Sequence, residues 1–208
     1  MIIKESDMKF TLCPAGTHFA RCFAIVDLGT HTETFQGKVK QLRKIRISWE
    51  ICGEKTEDGK PFTISKFYTR SLGEKATLQK DLQSWRGKPF TAEELKGFEM
   101  KNILGAACML TVIHEEKADK TMRDKIASVA AVPKGSQIPD LQTPKFIFDI
   151  DEWDNAVYEK LPDWVKEKIT TSPEGAKHFG YKTPPASGQN QQSGGTPGGE
   201  PVDDGIPF

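Results

Sequence analysis

With 208 residues, 37% of them hydrophobic, the chain can bury one domain core with extensions to spare. No apolar run approaches the roughly 18 residues that a membrane span needs, and the N-terminal MIIKESDMKF lacks the long apolar stretch and small-residue cleavage site of a secretory signal. The 29 basic and 29 acidic residues cancel in total but not along the chain: residues 183–208 hold no Lys or Arg and three acids, leaving the first 182 residues with a surplus of three positive charges.

These features point to a soluble protein of the cytoplasm. Cys13, Cys22, Cys52 and Cys108 lie far apart with no C-x-x-C pair, so free thiols are expected rather than a metal site.

The first predicted strand is HFARCFAIVDLGT, residues 18–30, with Asp27-Leu28-Gly29 as a turn signal at its end. KVKQLRKIRISWEI follows and alternates over its second half. Ile45, Ile47, Trp49 and Ile51 fall on one face, and Lys44, Arg46, Ser48 and Glu50 on the other. The hairpin signal EDGK, residues 57–60, leads into PFTISKFYTRS, where Phe62, Ile64, Lys66 and Tyr68 share a face. Helical spacing comes next: Leu78, Leu82 and Trp85 at i, i+4 and i+7, with Gly87 as the stop. In TAEELKGF, Thr91 and Glu94 occupy capping-box positions, and Leu95 and Phe98 are expected to be buried.

AACMLTVIHEE and KIASVAAVP read as two further strands, at residues 106–116 and 125–133. Three strands, a helical segment and two strands suit a mainly β fold with short helices: a five-stranded barrel of the oligonucleotide-binding (OB) type over residues 1–143. An SH3-like or other small barrel gives a similar pattern. Residues 144–182 read as a helical appendage packed on the barrel through Trp164, Val165 and Ile169, its helix starting near Pro162. From Thr183 the sequence TPPASGQNQQSGGTPGGEPVDDGIPF has five Pro and six Gly in 26 residues and is expected to be disordered. A coil of that length reaches about 28 Å, at roughly 5.5 Å times the square root of its length.

Residues 36–49 carry Lys38, Lys40, Arg43, Lys44 and Arg46 with no acid among them. Lys66 and Arg70 follow on the next strand, and Arg86 and Lys88 at the helix end. Cations spaced along adjacent strands suit a phosphate backbone. Phe35, Phe62 and Tyr68, interleaved with them, are candidates to stack bases, at about 1–3 kcal/mol per base. A solvated strand face has the same composition. Trp49 and Trp85 align with aliphatic core positions.

Catalytic signals are weak. The four histidines are scattered, and there is no G-x-S-x-G or P-loop pattern. Asp149, Asp151, Glu152 and Asp154 fit an acidic helix start better than a magnesium site. No cofactor and no metal are expected.

The last residues, VDDGIPF, place Asp203 and Asp204 before Ile206, Pro207 and Phe208 at the terminal carboxylate. Apolar side chains here have no core of their own to enter; burying Ile206 or Phe208 in a partner's pocket would yield roughly 1.5–3 kcal/mol each, and the carboxylates can pair with basic groups around it.

This ending resembles the C-terminal tail of bacterial single-stranded DNA-binding proteins, which close on an acidic run followed by Ile-Pro-Phe. The resemblance implies that Asp203, Asp204, Ile206, Pro207 and Phe208 dock onto replication, recombination and repair enzymes. Gly205 departs from it, standing where that family usually has a third acid. PAGTHFARCFAIVDLGT, KIRISWEI and SLGEKATLQKDLQSWRGKPFT are in turn similar to phage or prophage replication-module proteins that bind single-stranded DNA through an OB fold. That likeness covers about residues 10 to 175 and implies fold and ligand class, not residue roles.

The expectation is a non-enzymatic protein that coats single-stranded DNA in a bacterial host cell and recruits enzymes through its tip. RNA binding, strand annealing and a protein-recruiting or decoy role without DNA binding stay open, and no interface strand marks an oligomeric state.

Overall fold

The computed structural model describes residues 11–180, apart from Gln36 and the side chain of Phe35. The tail read over residues 183–208, with the tip residues Asp203, Asp204, Ile206, Pro207 and Phe208, lies outside the described residues.

The fold is mainly β with short helices. Two long strands, β1 (Gly16–Phe35) and β2 (Lys38–Lys55), pair antiparallel along most of their length. β3 (Pro61–Thr69) follows the EDGK hairpin and pairs with β2. β4 (Ala107–Glu116) pairs with the first residues of β1, and β5 (Met122–Ala130) with β4, giving the order β3-β2-β1-β4-β5. A short β6 (Phe146–Phe148) runs parallel to Ala24–Val26 of β1, continuing the edge that β4 occupies further back.

α1 (Thr77–Arg86) packs against both β3 and β5, the two ends of this ladder, which approach each other without a hydrogen-bonded register between them. Gly87 stops α1 at φ +66°, its N–H returning to the carbonyls of Gln83 and Ser84. In α2 (Ala92–Lys96) Thr91 and Glu94 form the expected capping box. Leu95 is a correction: it lies exposed, because five residues of helix turn only one side inward, and Phe90 and Phe98 fill that side.

The main core lies between the inner sheet face and α1. Ile45, Ile47, Trp49 and Ile51 of β2 meet Leu78, Leu82 and Trp85, and the Trp49 and Trp85 rings lie 5.8 Å apart. The other face of β2, with its Lys, Arg, Ser and Glu, is not solvated as the alternation suggests. Lys44, Ser48 and Glu50 are buried: Lys44 pairs with Glu33 of β1, Ser48 accepts from the Ser65 hydroxyl of β3, and the chain after β5 folds back onto Glu50. Glu50 accepts the backbone N–H groups of Gln142 and Thr143 at 2.7–3.2 Å, and Arg21 donates to the carbonyls of Gly105, Ile138 and Pro139. These bonds satisfy polar groups that burial would otherwise penalise.

α3 (Asn155–Tyr158), α4 (Asp163–Thr171) and α5 (Pro173–His178) complete this cover. Val26 and Leu28 of β1 join Phe148, Ile150, Tyr158, Leu161, Val165 and Ile169 in a second core. The Asp27-Leu28-Gly29 signal marks no turn. It is a bulge at which the β1–β2 register shifts, and the strand continues to Phe35. Gly29 sits at φ +80°, where a Cβ would fall 2.2 Å from the Ser172 Oγ.

Candidate nucleic-acid interface

The predicted basic stripe divides into three groups once folded. The first is a charge knot. Asp27, 3% exposed at the bulge, holds the guanidiniums of Arg43 and Arg70 together, the latter at 2.8 Å. Asp151 accepts from Arg43 at 2.8 Å, and Asp149 lies 3.6 Å from Arg70. Burial alone would lower the Arg43 pKa, but the hydrogen bonds and charges of Asp27 and Asp151 reverse this and hold it above its ordinary value. The carboxylate oxygens of Asp27, Asp149 and Asp151 lie within 4.8 Å of one another, a spacing that can suit a metal ion, yet here they surround two arginines. Asp154 serves as the helix cap that the acidic segment suggested, accepting from Ala156 and Val157 N–H.

The second group faces inward. Phe62 and Tyr68, read as stacking platforms, are corrections: both are buried in the main core, on the β3 face packed against α1, so neither ring can receive a base. The Tyr68 hydroxyl and the Lys66 ammonium both donate to Asp81 of α1, at 2.8 and 2.9 Å. Arg86 pairs with Glu94 and lies 4.4 Å over the Phe90 ring, locking α1 to α2, while Lys88 is exposed just beyond. Lys66 and Arg86 are thus engaged in holding the fold.

The third group lies on the even-numbered face of β2. From Thr30–Arg43 outward, β1 and β2 form a two-stranded arm beyond the end of β3. Lys38 and Lys40 are exposed on it, as is Val39 at 66%; the Phe35 side chain is outside the described residues. Further back, Lys44 is buried against Glu33 at 2.7 Å. Arg46 then passes under the indole of Trp164 from α4, 5.0 Å from the ring centroid, with Phe67 of β3 meeting the same indole edge-on at 6.2 Å. Burial pulls the Arg46 guanidinium down to about 10.

Trp164 packs α4 on the strands as expected, through Phe67 and Arg46, but at a rim and not in the core. It stands 37% exposed while Val165 and Ile169 on the same helix are fully buried. Its position directly before Val165 puts it about 100° round the helix from the buried stripe, and that offset is the signal the sequence carried. The arrangement offers an exposed basic arm leading to a cation–aromatic corner, which suits an anionic polymer bearing flat rings.

The chain matches no known family, and none of the curated proteins is a significant match to it.

Proposed function

We propose that this chain is a non-enzymatic single-stranded DNA-binding protein, with its strands arranged as an OB-type barrel closed across α1. The observation that carries the reading is the path β3-β2-β1-β4-β5, with β3 and β5 meeting at α1 and a cationic arm projecting from β1–β2. Lys38, Lys40 and Arg46 contact phosphates, and bases exposed by single-strandedness stack on adjacent aromatic surface. The protein works in a bacterial cytoplasm as part of a phage or prophage replication module, and Asp203, Asp204, Ile206, Pro207 and Phe208 recruit replication, recombination or repair enzymes.

A second reading has its own support. Arg43, Lys44, Lys66, Arg70 and Arg86 all pair with the chain's own carboxylates, as in a protein-recruiting module that binds no DNA.

Titration of a labelled oligothymidylate at several salt concentrations separates the two. Three phosphate contacts give a log–log salt slope of about −2, at roughly −0.7 per contact. Five contacts, as the unfolded sequence suggests, would give about −3.5 by the same rule. Absence of binding at low salt, or binding indifferent to salt, overturns the DNA-binding proposal. In the same series, deleting residues 199–208 leaves DNA binding intact or modestly tighter and abolishes enzyme pull-down.

A further inference from the structure

Among the described residues of β2 and β3, every half-buried or buried cation but one has a carboxylate partner. Arg43 has Asp27, Lys44 has Glu33, and Lys66 has Asp81. Arg46 has none, and its Nε is buried without a hydrogen-bond partner. Its compensation is the Trp164 ring 5.0 Å away, and a cation–π contact replaces only part of what a guanidinium loses on leaving water. The fold therefore keeps an uncompensated positive charge at a fixed place, beside two aromatic rings. An anion completes that charge, and a flat ring attached to the anion completes the aromatic surface.

We infer that Arg46, Trp164 and Phe67 form a nucleotide subsite, in which the Arg46 guanidinium takes a backbone phosphate and the exposed indole of Trp164 stacks the adjoining base. The subsite rests on the single-stranded DNA-binding reading and adds to it a contact from α4, outside the strands. Phe67 braces the indole edge-on, and the Arg46 cation beneath the ring strengthens its hold on a base and its phosphate together. Lys38 and Lys40 lie on the same face of β2, and eight residues at about 3.3 Å each put Lys38 about 26 Å from Arg46. A strand bound along the arm would end its track at this corner.

The full chain and its variants are titrated with labelled oligothymidylate across a salt series. Trp164→Ala weakens binding about tenfold, the loss of one stacked base, and Trp164→Phe recovers most of it. Arg46→Met makes the salt slope shallower by about 0.7, one phosphate contact, while Arg46→Lys keeps the slope. Photocrosslinking of iodouracil-substituted oligonucleotide to the unmodified protein places the adduct on the peptide containing Trp164, a readout that needs no variant to fold. If the wild type binds but Trp164→Ala and Arg46→Met bind as it does with an unchanged slope, or if crosslinks fall only elsewhere, the subsite is wrong and the wider proposal stands. If the wild type does not bind, both fall.

Discussion

At the scale of single residues, charge does two jobs in this protein, and burial decides which. Asp27 is the clearest instance. Its carboxylate, almost closed to solvent, neutralises Arg43 and Arg70 at the point where β2, β3 and the segment after β6 converge. Removing one partner of a buried ionic cluster leaves the remaining charges without compensation, at about 3–5 kcal/mol. Asp27→Asn is expected to lose about 3 kcal/mol of unfolding free energy in urea, where Asp151→Asn, with its exposed carboxylate, loses under about 1 kcal/mol. Equal effects of the two would show that Asp27 is not the hub. His31 gives a second test. Burial lowers its pKa below the ordinary value, opposed by the Leu28 carbonyl and assisted by Lys168. A histidine whose folded pKa is depressed binds its proton more readily when unfolded, so its contribution is complete above the unfolded pKa of about 6.5 and lost as pH falls through the lower folded value. Thermal melts from pH 7.5 down to 5 should show a decline that His31→Gln flattens.

At the scale of elements, β1 is controlled by its bulge. The register shift at Asp27/Gly29 turns the strand just where the α4–α5 junction presses on it, with Ser172 and Glu174 against Gly29. Glu174 accepts from the Thr30 N–H at 2.8 Å and from its hydroxyl at 2.6 Å. Gly29→Ala meets both obstacles at once: a left-handed backbone, costing about 1–3 kcal/mol, and a Cβ inside the Ser172 side chain. Its melting temperature should fall well below that of Gly37→Ala, where φ is also positive but nothing lies within 4 Å of the added methyl. Similar losses at both sites would assign the whole effect to backbone strain. This bulge also explains the clearest misreading of the sequence. A Gly after Asp and Leu signals a turn by composition, but a long strand that must bend under a packed helix uses the same residues.

Across the whole molecule, what the sequence made legible was what local periodicity carries. The inward set of β2, the EDGK hairpin, the Gly87 stop and the Thr91 capping box all depend on residues near one another in the chain. What escaped depends on contacts remote in sequence. Tyr68 and Phe62 look like surface aromatics beside lysines until α1 closes over β3. Glu50 looks solvated until the backbone of Gln142 and Thr143 meets its carboxylate. Arg43 and Arg70 look like phosphate ligands until Asp27, Asp149 and Asp151 meet them from segments up to 108 positions away. β6 has only three residues, too few to show a period. The candidate site was thus half visible: Lys38, Lys40 and Arg46 by spacing, but not the α4 indole that meets Arg46.

One strand, β1, contributes to both apolar clusters, with Cys22 and Ile25 on one side and Val26 and Leu28 on the other. The two layers consequently share a wall, and neither can melt while leaving its neighbour whole. Anyone trimming the polypeptide near residue 143 to obtain a minimal fragment would peel the back off that wall. The fragment would meet water with an oily strip where a helix had been, and would be prone to clumping, which could be mistaken for oligomerisation.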